Sequence, residues 1–111
     1  MTIEVIDDFL TNKDYADIYN VLHSTSLPWF YNPGKVRPND GIGQLTHCFY
    51  RGVGCYSDWL KKLEPLYKKL NVNAPIKVKA NTTFGRSAKI ITPFHVDGAG
   101  DDLTHRKTAI F

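Results

Sequence analysis

Residues 76–83 read Ile-Lys-Val-Lys-Ala-Asn-Thr-Thr, and their alternation of apolar and polar side chains constrains the fold more than any other stretch. A strand points successive side chains to opposite faces. Ile76, Val78 and Ala80 therefore share one face, and Lys77, Lys79, Asn81 and Thr83 share the other. Such a strand is half-buried and needs partners to pair with.

The remaining segments supply candidates. Ile3-Glu4-Val5-Ile6 reads as a short strand. Thr11 reads as a helix N-cap with Asp14 three residues on, and Tyr15, Ile18, Tyr19 and Leu22 follow at helical spacing. A helix is expected over 12–24, with those four residues in the core. His23 falls at the helix end, where a cation is favoured, and carries no assigned chemistry. Leu27-Pro28-Trp29-Phe30-Tyr31 is a dense aromatic run closed by a turn at Asn32-Pro33-Gly34. Residues 32–44 read as a solvated loop carrying Lys35 and Arg37. Gln44–Arg51 reads as a strand, with His47 and Cys48 as a packed histidine and thiol, and Gly52 and Gly54 end it.

Ser57 is a cap for a second helix, whose apolar stripe is Trp59, Leu60, Leu63, Leu66, Tyr67 and Leu70. Pro65 lacks a backbone donor and should kink or restart that helix. Asn71–Pro75 ends it. A turn is expected at 84–87 and a loop over 98–106, with Lys107–Phe111 beginning another β-type run.

At 111 residues the chain suits one domain with a modest core. No apolar run approaches a membrane span, and Met1-Thr2-Ile3-Glu4 lacks a secretory pattern, so a cytoplasmic location is expected. The formal charge of +3 is too small to argue for nucleic acid. Cys48 and Cys55 do not make a zinc pattern; a disulfide between them is open but disfavoured in a reducing cytosol, and two free thiols are the expectation.

The stretch Thr92-Pro93-Phe94-His95-Val96-Asp97-Gly98 carries the chemistry. On an extended segment, positions two apart project to the same side, so His95 and Asp97 would enter one cavity together. An imidazole and a carboxylate so placed are two thirds of the 2-His-1-carboxylate site that holds Fe(II) on one face. The competing reading is a surface turn at Asp97-Gly98. A β-type run stopping at Phe111 leaves a strand without its return partner. A single incomplete domain is therefore expected over 1–111, with 1–75 as a supporting region and 76–111 as the first core strands.

In this order the pieces resemble the N-terminal part of a 2-oxoglutarate/Fe(II)-dependent oxygenase of the prolyl 4-hydroxylase-like type, especially the compact versions carried by phages and marine bacteria. The resemblance rests on Val5–Leu10, Pro28-Trp29-Phe30-Tyr31, Ile76–Asn81, Phe94-His95-Val96-Asp97 and Thr108-Ala109-Ile110-Phe111. It implies an α+β fold in which a double-stranded β-helix (jelly roll) is flanked by N-terminal helices. It implies His95 and Asp97 as the first two iron ligands. Asn81 and Thr83 would contact 2-oxoglutarate, and Ile110 would be an apolar wall beside it. It implies Fe(II) as cofactor, 2-oxoglutarate and oxygen as co-substrates, ascorbate as a candidate reductant, and hydroxylation of a protein or peptide side chain such as proline.

The family's second His ligand and its basic partner for 2-oxoglutarate have no matching positions here, and the family takes no ligand from the place of His105. The alternative is a non-catalytic interaction module with a vestigial metal pair, using residues 28–31 and the basic loop 32–44 as its contact surface. Nucleic-acid demethylation and cupin-type metal chemistry are less favoured, and no membrane partner is expected.

Overall fold

The computed structural model describes residues 2–34, 41, 43–52, 54–85, 87–89, 91 and 107–111. In chain order the elements are α1 (Asn12–Leu22), β1 (Phe30–Asn32), β2 (Gln44–Arg51), β3 (Cys55–Tyr56), a 3-10 helix (Asp58–Leu63), α2 (Glu64–Leu70) and β4 (Lys77–Thr83). Together they make a small α+β domain built on one antiparallel sheet.

β2 is the strand to which the others pair. β4 runs along its whole length, from Gln44 opposite Thr83 to Arg51 opposite Lys77. β1 pairs with its start (Phe30 opposite Thr46), and β3 pairs with its end (Tyr50 opposite Tyr56). A strand has two edges, so β1 and β3 share the edge that β4 leaves free. Gly43, just before β2, lies close under the Tyr31 ring: a Cβ there would stand 2.6 Å from its hydroxyl oxygen, a clash that the exposed ring relieves by swinging aside. The β2–β3 turn passes through Gly54 at φ +89°, a backbone conformation that costs glycine little.

The register between β2 and β4 slips by one between Cys48 and Tyr50, which makes Phe49 a bulge residue. The slip has two consequences. Phe49 becomes 1% exposed and joins Leu27 and Leu63 as the fully buried apolar residues among those described. It also resets the alternation, so Arg51, opposite Lys77, returns to the face that already carries Cys48 opposite Lys79.

The helices cover the other face. Ile18 and Leu22 from α1, Trp59 and Leu60 from the 3-10 helix, and Trp29 pack with Val78 and Ala80 against the buried trio. This is the division expected of residues 76–83, except that Ile76 lies just outside β4 and is 57% exposed.

Local signals account for the helices. Thr11 caps α1 by accepting from the Asp14 N–H at 3.1 Å, and the C-cap is His23. Ser57 caps the second helical stretch by accepting from the Trp59 N–H at 3.2 Å. Pro65 restarts that stretch: the 3-10 turns end at Leu63 and α2 begins at Glu64, with proline in its first turn, where its missing donor costs nothing. Asn71 ends α2 in the left-handed region at φ 54°, ψ 49°.

Four expectations are corrected. Residues 3–6 form no strand; Ile3 and Val5 are more than four-fifths exposed, and an unpaired apolar run does not hold an extended conformation by itself. Tyr15 and Tyr19 lie outside the core on the wet side of α1, where the Tyr19 ring stacks on that of His23 at 4.0 Å. The aromatic run contains a short strand, β1, and a second short strand, β3, follows the Gly52–Gly54 break. Residues 107–111 carry no regular structure, although the Phe111 ring rests 5.8 Å from that of Phe9.

Candidate functional site

Where each expected site residue stands follows from this sheet. Thr83 completes a rung with Gln44 and Asn32, and Asn81 completes the next such rung on that face with Thr46 and Phe30. Asn81 and Thr83 thus share the face opposite the helices, and both are exposed. Cys48, Cys55, Arg51, Lys77 and Lys79 continue the same face toward the other end of the sheet. Apart from the exposed Phe30 at its β1 edge, it is polar and grades from neutral amide and hydroxyl groups to a basic end. Gln44 is the exception in accessibility, since it is 1% exposed and its Oε1 has no hydrogen-bond partner among the described residues.

His95 and Asp97, the expected ligand pair, lie outside the described residues, as do His105, Lys35 and Arg37. Ile110 is described and is 89% exposed in a segment without regular structure. Among the described residues no group of three or more His, Cys, Asp or Glu stands together as a metal cluster. Nor is any described helix long and apolar enough to cross a membrane.

A second constellation is centred on His47, which is 4% exposed. Its Nδ1 lies 2.7 Å from the Pro28 carbonyl oxygen, and its Nε2 lies 2.8 Å from Ser57 Oγ. A carbonyl can only accept, so the Nδ1 proton is donated to Pro28. Nε2 then accepts from the Ser57 hydroxyl, whose oxygen is free to take the Trp59 N–H. The ring packs edge-on against Phe49 at 4.6 Å. One imidazole therefore ties the aromatic run, β2 and the second helix cap together. A serine beside a histidine also resembles a nucleophile and its base. Here the ring is buried, the hydroxyl is committed to a helix cap, and the pair reads as structure.

Sequence reading identified His47 as a packed residue and Ser57 as a cap but did not link them. Their ten-residue separation runs across a bulge and a hairpin, and no local pattern encodes that contact.

Two acidities are displaced among groups that bear on these features. The Cys55 thiol is pushed up, first by a hydrogen bond with the Cys48 side chain and then by burial. The Tyr67 hydroxyl is pushed up by burial, and its oxygen is sealed from solvent without a partner among the described residues.

No family model, characterised protein or solved structure matches this chain. The assignment of function therefore rests on the residues themselves.

Proposed function

We propose that this chain supplies the supporting region and the first ligand pair of a 2-oxoglutarate/Fe(II)-dependent oxygenase of the prolyl 4-hydroxylase-like type, whose fold would be a double-stranded β-helix. The observation that supports it is the one-sided covering of the sheet. Helices seal the Val78 and Ala80 side, while Asn81 and Thr83 present polar groups on the open side. A β-helix site needs such an inward polar wall, backed by a sheet made rigid from behind.

The donor chemistry of His95 and Asp97 fits ferrous iron, because an imidazole nitrogen and a carboxylate oxygen belong to its facial ligand set. Two donors are one short of that set. When bound, the metal with 2-oxoglutarate and oxygen supplies the oxidising power for hydroxylation. In this reading His95 and Asp97 hold the metal, and Asn81 and Thr83 orient the co-substrate. The substrate class is a protein or peptide side chain such as proline.

Anaerobic Fe(II) titration of the chain, followed by 2-oxoglutarate, tests the proposal. The expected result is iron binding that His95→Ala and Asp97→Ala each weaken at least tenfold, and 2-oxoglutarate binding that requires the iron. Iron affinity indifferent to both substitutions would remove the metal reading.

A second reading, a non-catalytic interaction module, is favoured by Phe30 and Tyr31, which are 63% and 66% exposed on the edge strand β1. Exposed aromatics at a sheet edge are typical contact residues. That reading predicts no iron-dependent 2-oxoglutarate binding at all.

A further inference from the structure

Cys48 and Cys55 are both free, both half-buried, and lie on neighbouring strands of one hairpin. By ordinary alternation Cys48 and Arg51, three residues apart, would face opposite ways. The Phe49 bulge turns them to the same side, and Cys55 pairs directly with Arg51. The result is that the Cys55 thiol reaches back to donate to the Cys48 carbonyl at 3.0 Å. The sulfurs sit on the open sheet face, with Arg51 and Lys79 as cross-strand neighbours, a setting that draws anionic reagents.

We propose that Cys48 and Cys55 form an oxidative modification site, closing into an intramolecular disulfide that staples β3 to β2 when the chain meets an anionic low-molecular-weight disulfide of the glutathione type. In the first step a Cys48 thiolate attacks one sulfur of that disulfide. A sulfur–sulfur bond forms to Cys48, and one small thiolate leaves and takes up a proton. In the second step Cys55 gives up its proton and attacks the Cys48 sulfur. The protein disulfide forms, and the second small thiolate leaves and is protonated. The protein dithiol loses two electrons and two protons, and the reagent is reduced to two thiols.

The bulge gives this pairing its selectivity, because without it the two cysteines would face opposite sides of the sheet. The staple also bears on the buried histidine. The Ser57 N–H bonds to the Phe49 carbonyl at 3.0 Å, immediately after β3, so fixing the hairpin fixes the hydroxyl that His47 holds.

The test treats the folded chain with oxidised glutathione and follows intact mass and free thiols. The expected product is a monomer lighter by about 2 Da, the mass of two hydrogens, with no thiol left to alkylate and no retained glutathione. Cys48→Ser and Cys55→Ser should each stop at the stable mixed disulfide, heavier by one glutathione. Mild urea that leaves circular dichroism native should not be needed for closure. Wild-type chain that retains two glutathiones, forms covalent dimers, or closes only once unfolded would overturn the proposal. Circular dichroism of both serine variants establishes that they remain folded, and closure in wild type alone is the decisive difference.

Discussion

Replacing His47 probes the most connected side chain of the described structure. The ring bonds Pro28 and Ser57 at 2.7 and 2.8 Å and packs against Phe49, which is itself 1% exposed. His47→Ala deletes both bonds and leaves a void beside the core, and truncations of this size cost about 3–5 kcal/mol. His47→Phe keeps most of the volume and the contact with Phe49. It strands the Pro28 carbonyl and the Ser57 hydroxyl, at about 1 kcal/mol for each lost bond and more where the orphaned group stays dry.

Ser57→Ala removes one of those bonds and the cap on Trp59, together about 1–2 kcal/mol. Because His47 and Ser57 share a bond, the double variant should cost less than the sum of the singles, by about 1 kcal/mol. Small domains hold only about 5–15 kcal/mol in total. Only Leu27, Phe49 and Leu63 are fully buried apolar residues among those described, so His47→Ala should leave a chain close to its unfolding threshold. Urea denaturation followed by tryptophan fluorescence measures each value. A cost below about 1 kcal/mol for His47→Ala, or strict additivity of the two sites, would refute the account of His47 as the link between the aromatic run and the helix cap.

Tyr67→Phe should stabilise the chain by up to about 1 kcal/mol, because it removes a sealed hydroxyl that has no partner among the described residues. The pH dependence has a definite sign. Burial raises the folded-state pKa of Tyr67 above its unfolded value, so the neutral form is the one the fold favours. Its contribution is complete below the ordinary tyrosine range and falls away as pH rises through the higher folded value. The gap in stability between wild type and Tyr67→Phe should therefore stay constant up to about pH 10 and widen only above it, and a gap that changes with pH near neutrality would contradict the assignment. Asn71→Ala should cost about 1 kcal/mol, since alanine resists the left-handed conformation at the end of α2, whereas Asn71→Gly should be neutral or mildly stabilising by thermal melts.

What the sequence made legible was local. Thr11 and Ser57 announced helix starts because a cap needs only the next few backbone donors. Pro65 announced a restart for an equally short-range reason, and the alternation over 77–83 identified which face would be dry. What it hid depended on partners far along the chain. Residues 3–6 look like a strand but pair with nothing among the described residues and stay irregular, while Phe30–Asn32 became a strand because β2 offered it an edge. The Phe49 bulge, which decides where Cys48 and Arg51 point, exists only through the register with β4. Tyr15 and Tyr19 have the spacing of core residues, yet Ile18 and Leu22 alone of that stripe reach the buried trio.

Asn81 and Thr83 were placed on the polar face by alternation alone, and the sheet puts them on its open side, three strands wide at that end. A polar wall of this kind distinguishes the two functional readings by what it should tolerate. If the wall orients a co-substrate, Asn81→Ala and Thr83→Ala should weaken iron-dependent 2-oxoglutarate binding while leaving stability within about 0.5 kcal/mol, because exposed side chains contribute little to folding. If the wall is only the wet side of a half-buried sheet, both substitutions should be silent in binding as well. Since β4 is held by β2 along its full length and backed by the helices through Val78 and Ala80, neither substitution should disturb the scaffold. A change in ligand binding could then be attributed to the face itself.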